Sequence, residues 1–295
     1  MLYKFYSFTG YTLDALANSS VYFSRRHQFN DPMDCNPPIV VPERDHFDKT
    51  LRSCVSRMGD VETSFIDRIL SKDASDHLFS WLNNRVFESE LQQIADVVGV
   101  FCLTNQPYHP LMWGHYSSGH QGFCVGFDIP DTELVFAVDT ASFEGHPVNV
   151  KRVDYGNRPV DSLEILLILM ALVLQDPVFR NTDGSLNSKS ADMILNNEGF
   201  KSQFYNYYAM HHFSHKHSAW SYENELRALA LPRNGSETSG VRKLKHGRIK
   251  EVIFGSRMPQ SQRITVERLL GSNRIEYKQS IFSDTALELD FLPAW

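Results

Sequence analysis

Along the chain the spacing of apolar positions switches several times between two and three-to-four, and each switch marks an element. "LYKFYSF" is a short aromatic run bounded by Gly10 and predicts a first strand. "LDALANS" predicts a short helix, and "VYFS" a second strand. "RRHQFNDPMDCNPP" carries Asn, Asp and three prolines, so it reads as an ordered turn region and not a helix interior. From residue 45 to about 97, through "FIDRILSKDASDHLFSWLNNRVF" and on to Val98, apolar residues recur at three and four, which predicts two or three helices. A block of strands follows: "GVFCLT", "FCVGFDIP", "ELVFAVD" and "NVKRVDY", with "NQPYHP" as a turn and "LMWGHYSSGHQG" helical at its start. A helix over Leu163–Leu174, a polar loop "NTDGSLNSKS" and further helix over 191–212 come next. "NELRALAL", "IKEVIFG" and "NRIEYKQSIF" predict late strands, "SQRITVERLLG" a helix, and "PRNGSETSG" a flexible connection. No internal repeat or linker interrupts this order. The expectation is one α+β domain over residues 1–295, with helical insertions at about 45–97 and 161–212.

Composition narrows the function classes. The net charge of -6 argues against a generally basic surface, although "VRKLKHGRIK" is a local basic run, read as a solvated face between strands. Four cysteines without a CxxC pair point to reduced thiols and a cytoplasmic protein, with Cys102 and Cys124 acting as small hydrophobes. The N-terminus has no basic segment followed by an apolar run. "ILLILMALVL" is ten residues long, about half a bilayer span, and predicts a buried helix with no membrane role.

The common chemical signatures are missing: GxGxxG, Walker A, HExxH, an EF-hand loop and GxSxG. "HHFSHKH" places His211 and His215 four apart, which leaves a metal-dependent phosphoester hydrolase as one alternative, against a plain polar helix. Two other stretches look chemical. "MWGHYSSGHQGFCVGFD" packs Trp113, His115 and Tyr116 together, which offers acid–base groups and a ring for stacking. "SAWSYENELRALAL" carries Glu223, Glu225 and Arg227 at a spacing of two, which in a strand puts all three on one side. Such a face is either a salt-bridged surface or the lining of a cleft.

With these residues in view the chain resembles the bacterial family called domain of unknown function 2971. The resemblance rests on "LYKFYSF", "VYFSRRHQFNDPMD", "FCLTNQPYHPLMWGHYSSGHQGFCVGFD" and "FSHKHSAWSYENELRAL", in that order. More distantly, the order of elements resembles the ADP-ribosyltransferase fold, which implies a mixed or antiparallel split β-sheet and a site for nicotinamide adenine dinucleotide (NAD). That resemblance implies a first-strand contact from Tyr3, Lys4 or Tyr6, Ser24 on the second strand, and Glu225 with Glu223 on a late strand. The first strand has no Arg or His in that role. In the implied chemistry Glu225, Glu223, His115 and Ser24 are catalytic, with Ser24 positioning Glu225. Lys4, Tyr6, Trp113, Tyr116 and Arg227 bind the dinucleotide, and no metal is needed. The expectation is an ADP-ribosyltransferase or NAD glycohydrolase of a defence or toxin-type system, its acceptor a protein, nucleic acid or small molecule. A non-catalytic nucleotide- or ligand-binding sensory module is the other alternative.

Overall fold

A computed structural model describes every residue except 41, 58–62, 129–147, 174–180, 184–187, 197, 231–237, 244–248, 272–273, 286–287 and 295. The strand expected at "ELVFAVD" lies outside the described residues, as do parts of "NTDGSLNSKS", "PRNGSETSG" and the basic run.

In chain order the elements are β1 (Leu2–Tyr6), α1 (Gly10–Ala17), β2 (Ser20–Phe23), β3 (Ile39–Val40), α2 (Arg44–Arg57), α3 (Thr63–Ile69), α4 (Lys72–Leu82) and α5 (Arg85–Val97). Then come β4 (Gly99–Thr104), α6 (Pro110–Tyr116), β5 (Phe123–Phe127), β6 (Val148–Arg152), β7 (Asp154–Tyr155), β8 (Val160–Asp161), α7 (Ser162–Val173), α8 (Ser188–Asn196) and α9 (Glu198–His212). The last third holds β9 (His215–Lys216), β10 (Glu225–Ala230), β11 (Gly240–Lys243), β12 (Ile249–Phe254), α10 (Gln260–Leu270), β13 (Glu276–Phe282) and β14 (Leu289–Pro293). The described residues form two compact units: Met1–Asp34 with Val97–Asn157 and Lys216–Trp295, and Cys35–Asp96 with Arg158–His215.

The second unit is helical. The 45–97 pattern resolves into four helices where two or three were expected. Ser71 supplies one of the breaks, because its side chain caps α4 by accepting from the Ala74 N–H at 3.2 Å. Phe47, Leu51, Phe65, Leu78, Leu166 and Phe204 are among its buried core residues. The apolar run of α7 is spent on that core, through Leu163, Ile165, Leu166 and Met170. Among the described residues no helix is long and apolar enough to cross a membrane.

The first unit is built on an eight-stranded sheet of order β14-β13-β12-β5-β1-β4-β10-β6. Its pairings are antiparallel except for β12 with β13. Period-two alternation gives the sheet two different faces. On one, Leu2, Phe101, Val125, Ala228 and Val252 meet Leu16 of α1 and Val266 of α10 in a single core. On the other, Phe5, Cys124 and Ile253 pack with Met112 and Trp113 of α6.

The sheet is not paired evenly along its length. β1 shares five register pairs with β5, and β10 shares six with β4, but β1 meets β4 only at Tyr3 and Thr104. Further along the same strand, Ser24 bridges Val100 through two backbone hydrogen bonds of 2.8 and 2.9 Å. Between those two anchor points β1 and β4 part.

The turn after α6 sends the chain back into β5 through three successive left-handed residues, Ser118, Gly119 and His120. Gly122 then passes so close to β1 that an added Cβ would lie 2.0 Å from the Tyr6 carbonyl oxygen. In "PRNGSETSG" the described residue Thr238 is fully buried and pinned, donating its hydroxyl to the Val97 and Ala230 carbonyls.

Gly122→Ala is therefore expected to lower stability by about 1–3 kcal/mol, the usual scale of overpacking. Gly114→Ala, inside α6 with open space around its Cα, should stabilise by up to about 1 kcal/mol through helix propensity. Urea midpoints of the two variants against the parent check both signs.

Candidate functional site

Where β1 and β4 part, a cavity of about 310 Å³ opens. Lys4 of β1, Ser24 after β2, Asp34, Cys102 of β4, Lys216, and Glu223 with Glu225 line it, and His115 and Tyr116 of α6 complete it. The cavity thus joins residues more than two hundred positions apart in sequence, all from the first unit.

Glu225 opens β10, and Arg227 follows two residues later on the same face, as alternation requires. The Arg227 Nε donates to Glu225 Oε1 at 2.9 Å, and its Nη2 donates to Glu225 Oε2 at 2.9 Å and to Asp34 Oδ1 at 2.6 Å. Lys216 Nζ lies 2.9 Å from Asp34 Oδ2, 2.5 Å from Glu223 Oε2 and 3.2 Å from Glu225 Oε2. The Tyr116 hydroxyl donates to the remaining oxygen of Glu223 at 2.5 Å. The Tyr155 hydroxyl accepts the Glu225 backbone N–H at 2.8 Å. None of the five charged residues is more than 7% exposed.

Glu223 reaches this cluster by a different route from the one its spacing suggested. It is not in the strand. It ends a 3-10 turn over Ser218–Glu223, and Asn224 follows in the left-handed region at φ 43° and ψ 52°. Asn tolerates that conformation at low cost. It is held there by Arg152, which donates to its side-chain oxygen, and by its own amide, which donates to Asn105. The Thr104 hydroxyl fixes the end of the turn by donating to the Glu223 carbonyl at 2.7 Å. The two carboxylates converge because the backbone turns between them.

The two acids are driven apart in acidity. Burial pushes Glu223 up from its ordinary value, the charge of Glu225 adds to the rise, and Lys216 and the Tyr116 hydroxyl only partly oppose it. Burial also penalises the Glu225 anion, but Arg227 and Lys216 outweigh it and hold that carboxyl well below the usual range. Lys216 is disfavoured as a cation by burial, yet Glu225, Asp34 and Glu223 keep it charged, with its pKa raised. Burial followed by the Glu223 charge raises Tyr116, which therefore remains a donor. Burial and then Glu225 push the Cys102 thiol up, so this thiol is not a nucleophile at neutral pH.

Seven of the residues singled out from the sequence line the cavity: Tyr3, Lys4, Ser24, His115, Tyr116, Glu223 and Glu225. Three do not. Tyr6 points into the sheet core and stacks on Phe123 at 5.7 Å, since alternation sends it to the opposite face from Phe5. Trp113 is fully buried and donates its indole N–H to the Pro107 carbonyl at 2.7 Å, so it supports α6 and offers no ring to a ligand. Arg227 is also fully buried, lying behind Glu225, and meets carboxylates in place of phosphate. The Ser24 hydroxyl makes no hydrogen bond to Glu225 among the described residues. That serine acts through its backbone bridge. Asp34 and Lys216 went unnoticed, and neither sits in a pattern that marks it. Of the histidine run, no group of three or more His, Cys, Asp or Glu among the described residues could hold a metal ion.

For a dinucleotide the fit is partial. Pockets for drug-sized ligands run from about 300 to 1,000 Å³, so this one stands at the small end of that range. Among the described residues two cations line it: Lys4, whose ammonium lies 5.4 Å from the Phe101 ring centroid, and Lys216, which is spent on the three carboxylates.

Residues 112–228 match the profile of a family described as Protein of unknown function (DUF2971). That span holds His115 and Tyr116 of α6, Lys216 and both glutamates of the cavity, and supports the resemblance read from the sequence. No curated protein and no solved structure matches the chain.

The ion cluster has a pH signature. Glu225 is depressed in the folded chain, so between its folded value and the ordinary 4.5 the unfolded chain binds the extra proton. Its stabilisation is complete above the ordinary value and is lost as pH falls below it. Glu223, raised, acts with the opposite sign as pH rises. Urea midpoints should therefore fall steeply below about pH 4.5, and Glu225→Gln should flatten that slope. Arg227→Leu, which strips two buried carboxylates of a partner, should cost about 3–5 kcal/mol at pH 7.

Proposed function

We propose that this protein cleaves the glycosidic bond of NAD between nicotinamide and ribose, as an ADP-ribosyltransferase or an NAD glycohydrolase. One observation carries the reading: Lys4 from the first strand, Ser24 after the second and the Glu223–Glu225 pair at a late strand all line one cavity at the parting of β1 and β4. That is the arrangement implied by the resemblance to the ADP-ribosyltransferase fold.

The cluster suits such chemistry electrostatically. Three carboxylates against two cations leave one net negative charge when all are ionised. As the bond between C1 of ribose and the ring nitrogen breaks, its electron pair leaves with nicotinamide and positive charge develops on the ribose. Glu225, held ionised and in place by Arg227 and Lys216, faces that charge without needing to reorganise. Glu223, with its raised pKa, takes the proton that the acceptor or water loses as its oxygen or nitrogen bonds to C1. Two carboxyls of opposite shift provide two roles, a permanent anion and a proton carrier. Tyr116 orients the carrier, and the exposed ring of His115 stands at the mouth.

Nicotinamide release by the purified chain is the direct test. Glu225→Gln should lower it by roughly two to three orders of magnitude, with circular dichroism confirming a retained fold. The acid limb of the pH profile should report Glu223. Tyr116 lowers that pKa by donating to the carboxylate, so Tyr116→Phe should raise it and move the limb to higher pH. A wild-type rate unchanged in Glu225→Gln would end this assignment. Dinucleotide binding without any nicotinamide release would favour a ligand-binding module instead.

A further inference from the structure

Two surface features adjoin residues that line the cavity. The first is a cluster of four rings. His115 lines the cavity, and its ring lies 6.3 Å from both Trp220 and Tyr222. Tyr222 is 6.0 Å from Trp220 and stacks on His109 at 5.2 Å with an interplanar angle of 26°. Trp220 is held in place by donating its indole N–H to Asp31 at 2.8 Å, and Lys216 lies 5.2 Å from its ring centroid.

The second is the two-stranded ribbon of β2 and β11. Tyr22 and Val241 face each other across it and are both exposed, at 45% and 62%. Lys243, two residues on from Val241, shares their face and is exposed. The ribbon connects to the cavity by contact: Tyr22 and Gln28 exchange a side-chain hydrogen bond, and Gln28 lines the cavity. Arg25, Arg26 and the exposed His27 lead into Gln28. A chain with a net charge of -6 thus has cationic groups and exposed apolar side chains that adjoin the cavity lining at Gln28, and half-buried rings that adjoin it at His115.

We infer that these features together bind single-stranded nucleic acid and bring it to the cavity. Phosphates pass over the ribbon and the Arg25–His27 turn, and unpaired bases stack at Trp220 and Tyr222. Cationic grooves combined with aromatic platforms are what such strands require, because every base presents a π-face once it is unpaired. A duplex hides those faces. Single-stranded nucleic acid is then the acceptor class for the proposed transfer. In that respect the inference rests on the reading above, whereas the binding itself does not.

Fluorescence anisotropy of the full chain with a labelled 12-nucleotide single strand, its duplex and heparin tests it. The single strand should bind more tightly than the duplex, with affinity falling as salt rises. Trp220→Ala should weaken it about tenfold and Trp220→Phe should restore it. Lys243→Glu, at an exposed position, should weaken it and flatten the salt dependence. No binding at low salt overturns the inference. So does binding shared equally by duplex and heparin and indifferent to both positions, which is plain charge attraction. Nicotinamide release is measured on the same preparations. Release without strand binding removes this inference and leaves the proposed function standing, while strand binding without release does the reverse.

Discussion

Burying an ion costs several kcal/mol even after relaxation, and this protein buries five around Glu225. Such a cluster persists only if each charge meets opposite charge at hydrogen-bonding distance, and here every member does. Arg227 forks onto Glu225 and reaches Asp34, while Lys216 spans Asp34, Glu223 and Glu225. These contacts tie four separate stretches of chain to one another: the loop after β2, β9, the 3-10 turn and β10. Loss of one partner leaves the others buried and unneutralised, so the cluster acts as a constraint on the whole unit more than as a sum of pairs.

The cavity follows from that constraint together with the sheet. β4 is held by β10 along six residues on one edge and by isolated contacts at Val100 and Thr104 on the other. Full pairing of β1 with β4 would close the gap. Instead β1 stays with β5, and Gly122 lets the β5 end approach within reach of the Tyr6 carbonyl. The parted strands leave room, and four of the buried ions, Asp34, Lys216, Glu223 and Glu225, line one wall of it. A polar wall beside an apolar sheet is what a ligand with both a charged and a planar part requires.

The strands were legible because their apolar positions alternate, and the late pair Glu225 and Arg227 because alternation puts them on one face. Glu223 was found for an incomplete reason. Its spacing suggested a shared strand, but Asn224 in the left-handed region breaks the strand before it, and Asn gives only a weak signal for that. Trp113 was misplaced because an aromatic residue beside a histidine has the same pattern whether it faces a ligand or a core. Only the contact with Pro107 settles it. Asp34 and Lys216 carried no local signal. Each joins the cluster through partners far away in sequence, and their neighbours "PMDC" and "SHKH" read as turn and helix end. The division of the 45–97 segment into four helices turned on caps such as Ser71, which apolar periodicity does not register.

The two carboxyls of the cluster differ in a way that matters for the proposed reaction. Arg227 and Lys216 fix the charge of Glu225 over the whole physiological range, so it cannot serve as a proton carrier. Glu223 has one cationic partner, shared with two other carboxylates, and a neutral donor in Tyr116, which leaves burial as its largest influence. Its ionisation therefore changes the net charge of the cluster from zero to one negative, a few ångströms from the cavity. Proton uptake at Glu223 and the field offered to a developing cation are linked for that reason: the carboxyl that accepts a proton from an incoming nucleophile also switches off the extra negative charge as the bond is completed. In the proposed reaction the field is strongest while positive charge develops on the ribose and relaxes once that charge is gone, with no movement of the backbone required.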